Sequence, residues 1–129
     1  MINQVDALVL FVEDKDKCAA FYRDVLGAQV IFSDDTSYLF QFGKLDFVVL
    51  TMPSAVEMVG AGAIGSGAGH RVLLCAGVEN VDTAYQELSA KGLAFIKPPV
   101  DQAWGRRTCY FADPAGNLWE LFHILPNGN

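Results

Sequence analysis

A chain of 129 residues has the length of one ordinary domain, enough to hide about two-thirds of its unfolded surface without disulfides or a structural metal. A composition 52% hydrophobic and 19% charged excludes a disordered polymer. The net charge of −6, with nine scattered Lys and Arg, argues against a grip on nucleic acid or an anionic membrane and suits a neutral or cationic small ligand.

In chain order, "VDALVLFV" (residues 5–12) is dense in apolar and β-branched residues and reads as a strand. "EDKDKCAAFYRDVLG" follows with a helical pattern. Cys18, Phe21, Tyr22, Val25 and Leu26 recur at three- and four-residue steps, Asp14 or Asp16 serves the start, and Gly27 stands where a left-handed stop is wanted. Three strands follow, "AQVIFS", "SYLFQFG" and "KLDFVVLTMP", with turns at Asp34-Asp35 and Gly43-Lys44. Pro53 closes this half. Residues 54–69, "SAVEMVGAGAIGSGAG", are rich in Gly and Ala and read as a flexible linker.

Residues 70–125 then repeat the order: a strand in "HRVLLCAGVEN", a helix in "VDTAYQELSAKG", and strands in "AFIKPP", "RTCYFAD" and "NLWELFHIL". Val12-Glu13-Asp14 recurs as Val78-Glu79-Asn80 and Gly27 as Gly92, at spacings that agree to within one residue. The expected fold is α+β, a single domain of two tandem βαβββ units (1–53 and 70–125) whose curved mixed sheets pair around a cleft. Cys18, Cys75 and Cys109 lack a C-x-x-C pair and stand among apolar neighbours, so they read as reduced core residues. The N-terminus has no basic start or small-residue cleavage site, which places the chain in the cytoplasm, and no apolar run approaches the roughly 18 residues of a membrane span.

The doubled βαβββ order, "FYRDVLGA" at residues 21–28 and above all "WGRRTCYFADPAGNLWELFH" at residues 104–123 resemble the vicinal oxygen chelate superfamily. That superfamily contains glyoxalase I, extradiol dioxygenases, fosfomycin-resistance enzymes and bleomycin-resistance binding proteins. The resemblance implies the paired βαβββ fold, commonly in a homodimer, and it leaves the reaction open, because both metalloenzymes and metal-free binders share it.

Its enzymes hold a divalent metal with side chains from the first and last strand of each unit. Those positions fall here on Ala7, Val49, Leu73 and Glu120, of which only Glu120 can coordinate. His123, three residues after Glu120, projects to the other sheet face, and His70 needs a bulge to enter the cleft. No metal or other cofactor is therefore expected. "ADPAGN" is read as a turn built on Pro114 and Gly116. No G-x-S-x-G elbow, phosphate loop or H-E-x-x-H is present.

The expected ligand-binding residues are Trp104, Glu120, Arg107, Phe40 and Phe47. In the bleomycin-resistance branch the Trp matching Trp104 stacks on a flat part of the drug; the alternative is that Trp104 seals a loop. Arg106 and Arg107 have opposite parity, so one looks toward Glu120 and the other meets solvent or Asp101. Trp119 is expected to face the helix layer, and parity alone does not say which of Phe32, Tyr38, Phe40, Phe42 and Phe47 line the cleft.

The reading is a metal-independent small-molecule binder, sequestering a cationic or planar antibiotic, rather than an enzyme. The alternative is a lyase, isomerase or dioxygenase resembling glyoxalase I, dependent on Zn, Ni, Mn or Fe at Glu120. A third possibility is a scaffold acting through protein contacts.

Overall fold

The computed structural model describes residues 3–65 and 72–126, and the chain divides into two compact units, Met1–Ala68 and Gly69–Asn129. The first unit runs β1 (Ala7–Val12), α1 (Lys15–Ala20), a π-helical continuation over Phe21–Val25, β2 (Val30–Ser33), β3 (Ser37–Phe42), β4 (Leu45–Thr51) and α2 (Met52–Val59). The second runs β5 (Leu73–Gly77), α3 (Val81–Ala90), β6 (Lys97–Asp101), β7 (Arg106–Ala112) and β8 (Leu118–Ile124). The sheets are ordered β1-β4-β3-β2 and β5-β8-β7-β6, with the first pair of each parallel and the rest antiparallel. The expected βαβββ repeat is therefore present as two four-stranded mixed sheets of identical topology.

The same local devices start and stop the repeated helix. Asp14 accepts a hydrogen bond from the Lys17 N–H, and Asn80, its counterpart, accepts one from the Thr83 N–H, both at 3.0 Å. Each such cap is worth about 1 kcal/mol. At the far ends Gly27 and Gly92 take φ of 76° and 93°, which a side chain would strain. After α3, Gly92 N–H donates to the Ser89 carbonyl and Leu93 N–H to the Leu88 carbonyl, so the last turn is closed without water.

One face of each sheet is fixed by its helix. In the first unit Tyr22 inserts against Phe47 and Phe40, with ring centroids 4.9 and 5.9 Å apart, above buried Leu10, Val12 and Val49. In the second, Tyr85 of α3 meets Phe95 at 4.5 Å, Phe95 meets Phe111 at 5.7 Å, and Phe111 stacks on Trp119 at 6.0 Å. Trp119 thus belongs to the helix layer, as its parity indicates.

Two local expectations change. Residues 54–59 of the Gly/Ala-rich segment are helical, as part of α2, rather than a flexible linker. Pro53 lies in the first turn of α2, where its missing N–H costs nothing, and buried Ala55 anchors the helix. β6 is shifted to Lys97–Asp101, an edge strand whose pairing with β7 breaks register between Lys97 and Val100, which accommodates Pro98 and Pro99. Among the described residues no helix is long and apolar enough to cross a membrane.

Candidate functional site

Strand pairing in the second unit decides which side chains share a surface. Cys75 of β5 and Tyr110 of β7 both lie directly opposite Glu120 of β8. Paired residues point to the same face and alternate residues switch faces. Cys75, Gly77, Arg106, Tyr110, Glu120 and Phe122 therefore occupy the face turned away from α3.

Glu120 is only 7% exposed. Tyr110 Oη donates to its Oε1 at 2.6 Å, and Cys75 is its register partner on β5. Burial, then the bond to Glu120, pushes the Tyr110 hydroxyl above its ordinary pKa. Burial also raises the Cys75 thiol, reinforced by the nearby Glu120, with Arg106 opposing. Both groups are thus protonated at neutral pH, and Tyr110 is the donor. Among the described residues no Lys, Arg or His forms an ion pair with Glu120. Two strand positions away, Phe122 packs over Gly77, where a Cβ would come within 3.3 Å of the ring, and the Arg106 guanidinium lies over that ring at 4.2 Å from its centroid.

The remaining candidate residues separate. Arg107 is turned to the helix side. Its Nε and Nη2 donate to Asp82 at 2.9 Å and its Nη1 to Asp101 at 2.8 Å, so it meets Asp101 rather than Glu120. These two carboxylates hold the guanidinium well above its ordinary pKa. Phe40 and Phe47 are 0% and 1% exposed in the Tyr22 cluster, which places them in the core beneath the first helix rather than on a ligand surface. Trp104 is 59% exposed in the turn between β6 and β7, which the Gly105 N–H closes on the Gln102 carbonyl at 3.1 Å.

Val49 is fully buried on the helix side, so it is not the counterpart of Glu120. Val9 pairs with Val48 as Cys75 pairs with Glu120, which makes Val48 the equivalent position. His123 faces away from Glu120, its Nδ1 accepting the Val81 N–H at 2.8 Å, and His70 lies outside the described residues.

The donor set of this face does not fit a divalent-metal centre. Glu120 has Leu118 beside it on β8 and Leu73 on β5 along the same face, neither of which can coordinate. No cluster of three or more His, Cys, Asp or Glu side chains suited to a metal ion occurs among the described residues.

Two residues of the site escaped the sequence reading. Tyr110 was readable from the hairpin: Asp113 Oδ1 accepts from the Ala115 and Asn117 N–H groups at 2.9 and 2.8 Å, and the turn it closes sets Ala112 opposite Leu118 and thus Tyr110 opposite Glu120. Cys75, read as a core residue, is exposed, whereas Cys18 and Cys109 are buried. It shares the parity of Leu73, which was the available signal.

Comparison with known proteins agrees with this architecture. A model of the Glyoxalase/Bleomycin resistance protein/Dioxygenase superfamily matches residues 4–121. YraH, an uncharacterized protein of Bacillus subtilis (strain 168), is 32% identical over 121 residues, spanning 90% of this chain and 94% of its own. An uncharacterized protein of Shewanella frigidimarina (strain NCIMB 400) is 30% identical over 134 residues, spanning 96% of each. Among solved structures, a glyoxalase/bleomycin resistance protein/dioxygenase from Nocardioides superposes with a TM-score of 0.90 at 26% identity, over 100% of this chain and 88% of that one. Lactoylglutathione lyase from Agrobacterium tumefaciens superposes with a TM-score of 0.75 at 22% identity, over 94% and 93%, a likeness of fold alone. From a family match that spans both copies of the βαβββ topology, the chain belongs to the Glyoxalase/Bleomycin resistance protein/Dioxygenase superfamily.

Proposed function

We propose that the protein binds a small organic molecule through a cationic or hydrogen-bond-donating group seated on Glu120, without a metal centre built from its own side chains. One observation carries this reading. The carboxylate is 7% exposed, accepts a hydrogen bond from one neutral donor, Tyr110, and among the described residues has no cationic partner within ion-pair distance. A ligand ammonium or amidinium reaching that carboxylate makes a charge-assisted hydrogen bond at low local dielectric, worth about 1.5–3 kcal/mol. The exposed Trp104 ring adds a stacking surface worth about 0.5–2 kcal/mol to a planar or cationic group. Sequestration of a cationic antibiotic of the bleomycin type is the finer form of the proposal, supported by the name of the superfamily and by these two features.

The test uses the metal-stripped protein with metal-free bleomycin. A ligand at 100 times its dissociation constant stabilises by about 2.7 kcal/mol, visible as a raised melting temperature. The shift should shrink in Glu120→Gln and in Trp104→Ala. No shift with bleomycin would sink the antibiotic reading. Tight binding of one Zn, Ni, Mn or Fe ion per chain, measured by elemental analysis after equilibration, would overturn the metal-free reading in favour of a metal-dependent lyase, isomerase or dioxygenase.

A further inference from the structure

Arg106 is the unassigned charge of the same surface. It is half-buried, it shares the face of Glu120 by strand register, and its guanidinium lies 4.2 Å from the centroid of the Phe122 ring. Among the described residues it forms no ion pair, whereas its neighbour Arg107 is committed to Asp82 and Asp101. A guanidinium stacked on a ring has its plane fixed while its N–H edges stay free for a planar anion. Phe122 is itself braced by the backbone at Gly77, since the ring occupies the space a Cβ there would need. Gly77, Phe122 and Arg106 therefore hold the guanidinium in place before any ligand arrives.

Phe122 and Glu120 are alternate residues of β8, so their backbone positions stand about 7 Å apart along the strand. Among the described residues no ion pair joins Arg106 to Glu120. We infer that Arg106 and Glu120 are the two ends of a binding site for a zwitterionic small molecule, with its anionic group on Arg106 and its cationic group on Glu120. The inference rests on the reading of Glu120 as a cation subsite and narrows the ligand class: a carboxylate or similar planar anion, a flat or apolar middle and an ammonium or amidinium.

Three probes that share a benzene ring test this by calorimetric titration: para-aminomethylbenzoate with both charges, benzylamine with the cation alone, and para-methylbenzoate with the anion alone. The wild-type protein should bind the zwitterion about tenfold or more tightly than benzylamine, the gain from one added charge-assisted contact. Arg106→Gln should erase that advantage. Arg106→Lys, which keeps the charge but loses the planar fork, should recover only part of it. Circular dichroism and melting temperature confirm that the variants fold.

Equal binding of zwitterion and benzylamine, or an advantage that survives Arg106→Gln, overturns the role of Arg106. If benzylamine binding is then still lost in Glu120→Gln, the cation subsite stands alone. Should para-methylbenzoate bind in an Arg106-dependent way while benzylamine does not bind, the Glu120 reading fails and the paired site with it. If none of the three binds, both are overturned.

Discussion

The hydrogen bond between Tyr110 and Glu120 is the most direct test of how this surface is built. At 2.6 Å, Tyr110 Oη to Glu120 Oε1 is in the range of a charge-assisted O–H···O⁻ bond, and the carboxylate is 7% exposed, so water replaces the lost hydroxyl poorly. Removing one donor from a buried charge costs about 1.5–3 kcal/mol. The expectation for Tyr110→Phe is therefore about 2 kcal/mol. For a domain of this size that is a fall in melting temperature of about 8 °C. Urea and thermal unfolding at neutral pH measure it, and a double-mutant cycle with Glu120→Gln isolates the pair, with an expected coupling of about 1 kcal/mol. If Tyr110→Phe changes stability by under about 0.5 kcal/mol and the cycle shows no coupling, the carboxylate is solvated some other way. The premise that Glu120 is satisfied by a neutral protein donor then fails.

Other expectations follow from the rest of the molecule. Arg107 holds the Asp82 carboxyl below its ordinary pKa of 3.8, so the pair's contribution is present above that pH and is lost as pH falls through the depressed folded value. The stability gap between wild type and Arg107→Gln should therefore be full at neutral pH and close below about pH 4; a gap that widens with acid would refute the assignment. In the native protein an aromatic disulfide reagent should label Cys75 and spare Cys18 and Cys109 until unfolding, the Cys109 thiol being pushed up to about 11 by burial. Cys75 should react more slowly than a free thiol at neutral pH and faster in Glu120→Gln, so an unusually fast native Cys75 would contradict its raised pKa. Phe47→Ala should cost about 3–5 kcal/mol through the cavity left beneath Tyr22, and a loss below about 1 kcal/mol would argue against that core. Finally, the ¹⁵N shifts of His123 should show Nδ1 as the unprotonated nitrogen, since it accepts the Val81 N–H; a protonated Nδ1 would remove this contact from the start of α3.

Much of the scaffold was legible because the two units repeat their punctuation. Asp14 and Asn80 start the helices, and Gly27 and Gly92 end them, in the structure as in the sequence pattern. α2 was not read, although Met52, Ala55, Val56 and Val59 follow helical spacing, because the Gly/Ala run that follows dominates the composition of the segment. Site residues were harder, since a one-residue slip transfers a whole strand to the opposite face. Val49 was matched to Glu120 by aligning the last strands of the two repeats; the register Phe42 to Leu45 across the Gly43-Lys44 turn puts Val48, not Val49, on the face away from the helix. The same register pairs Phe40 with Phe47, but only the insertion of Tyr22 shows that their shared face is the core. Arg106 and Arg107 were separated by parity without a sign, and Asp82, twenty-five residues away in sequence, supplies it by taking Arg107.

These cases share a physical cause. On β8, Trp119, Leu121 and His123 are held by the helix layer, and their packing and the His123 bond to α3 fix where the strand sits. The intervening Leu118, Glu120 and Phe122 ride on that fixed strand while facing the other way, so their identities are constrained far less by folding. Membership in the superfamily therefore accounts for the half of each strand that packs. The other half carries what is particular to this chain, Glu120 hydrogen-bonded by Tyr110 and Arg106 lying over Phe122. Ala7 and Leu73 lie on that same outward half of their strands, so a change of residue there leaves the face that the helices hold untouched.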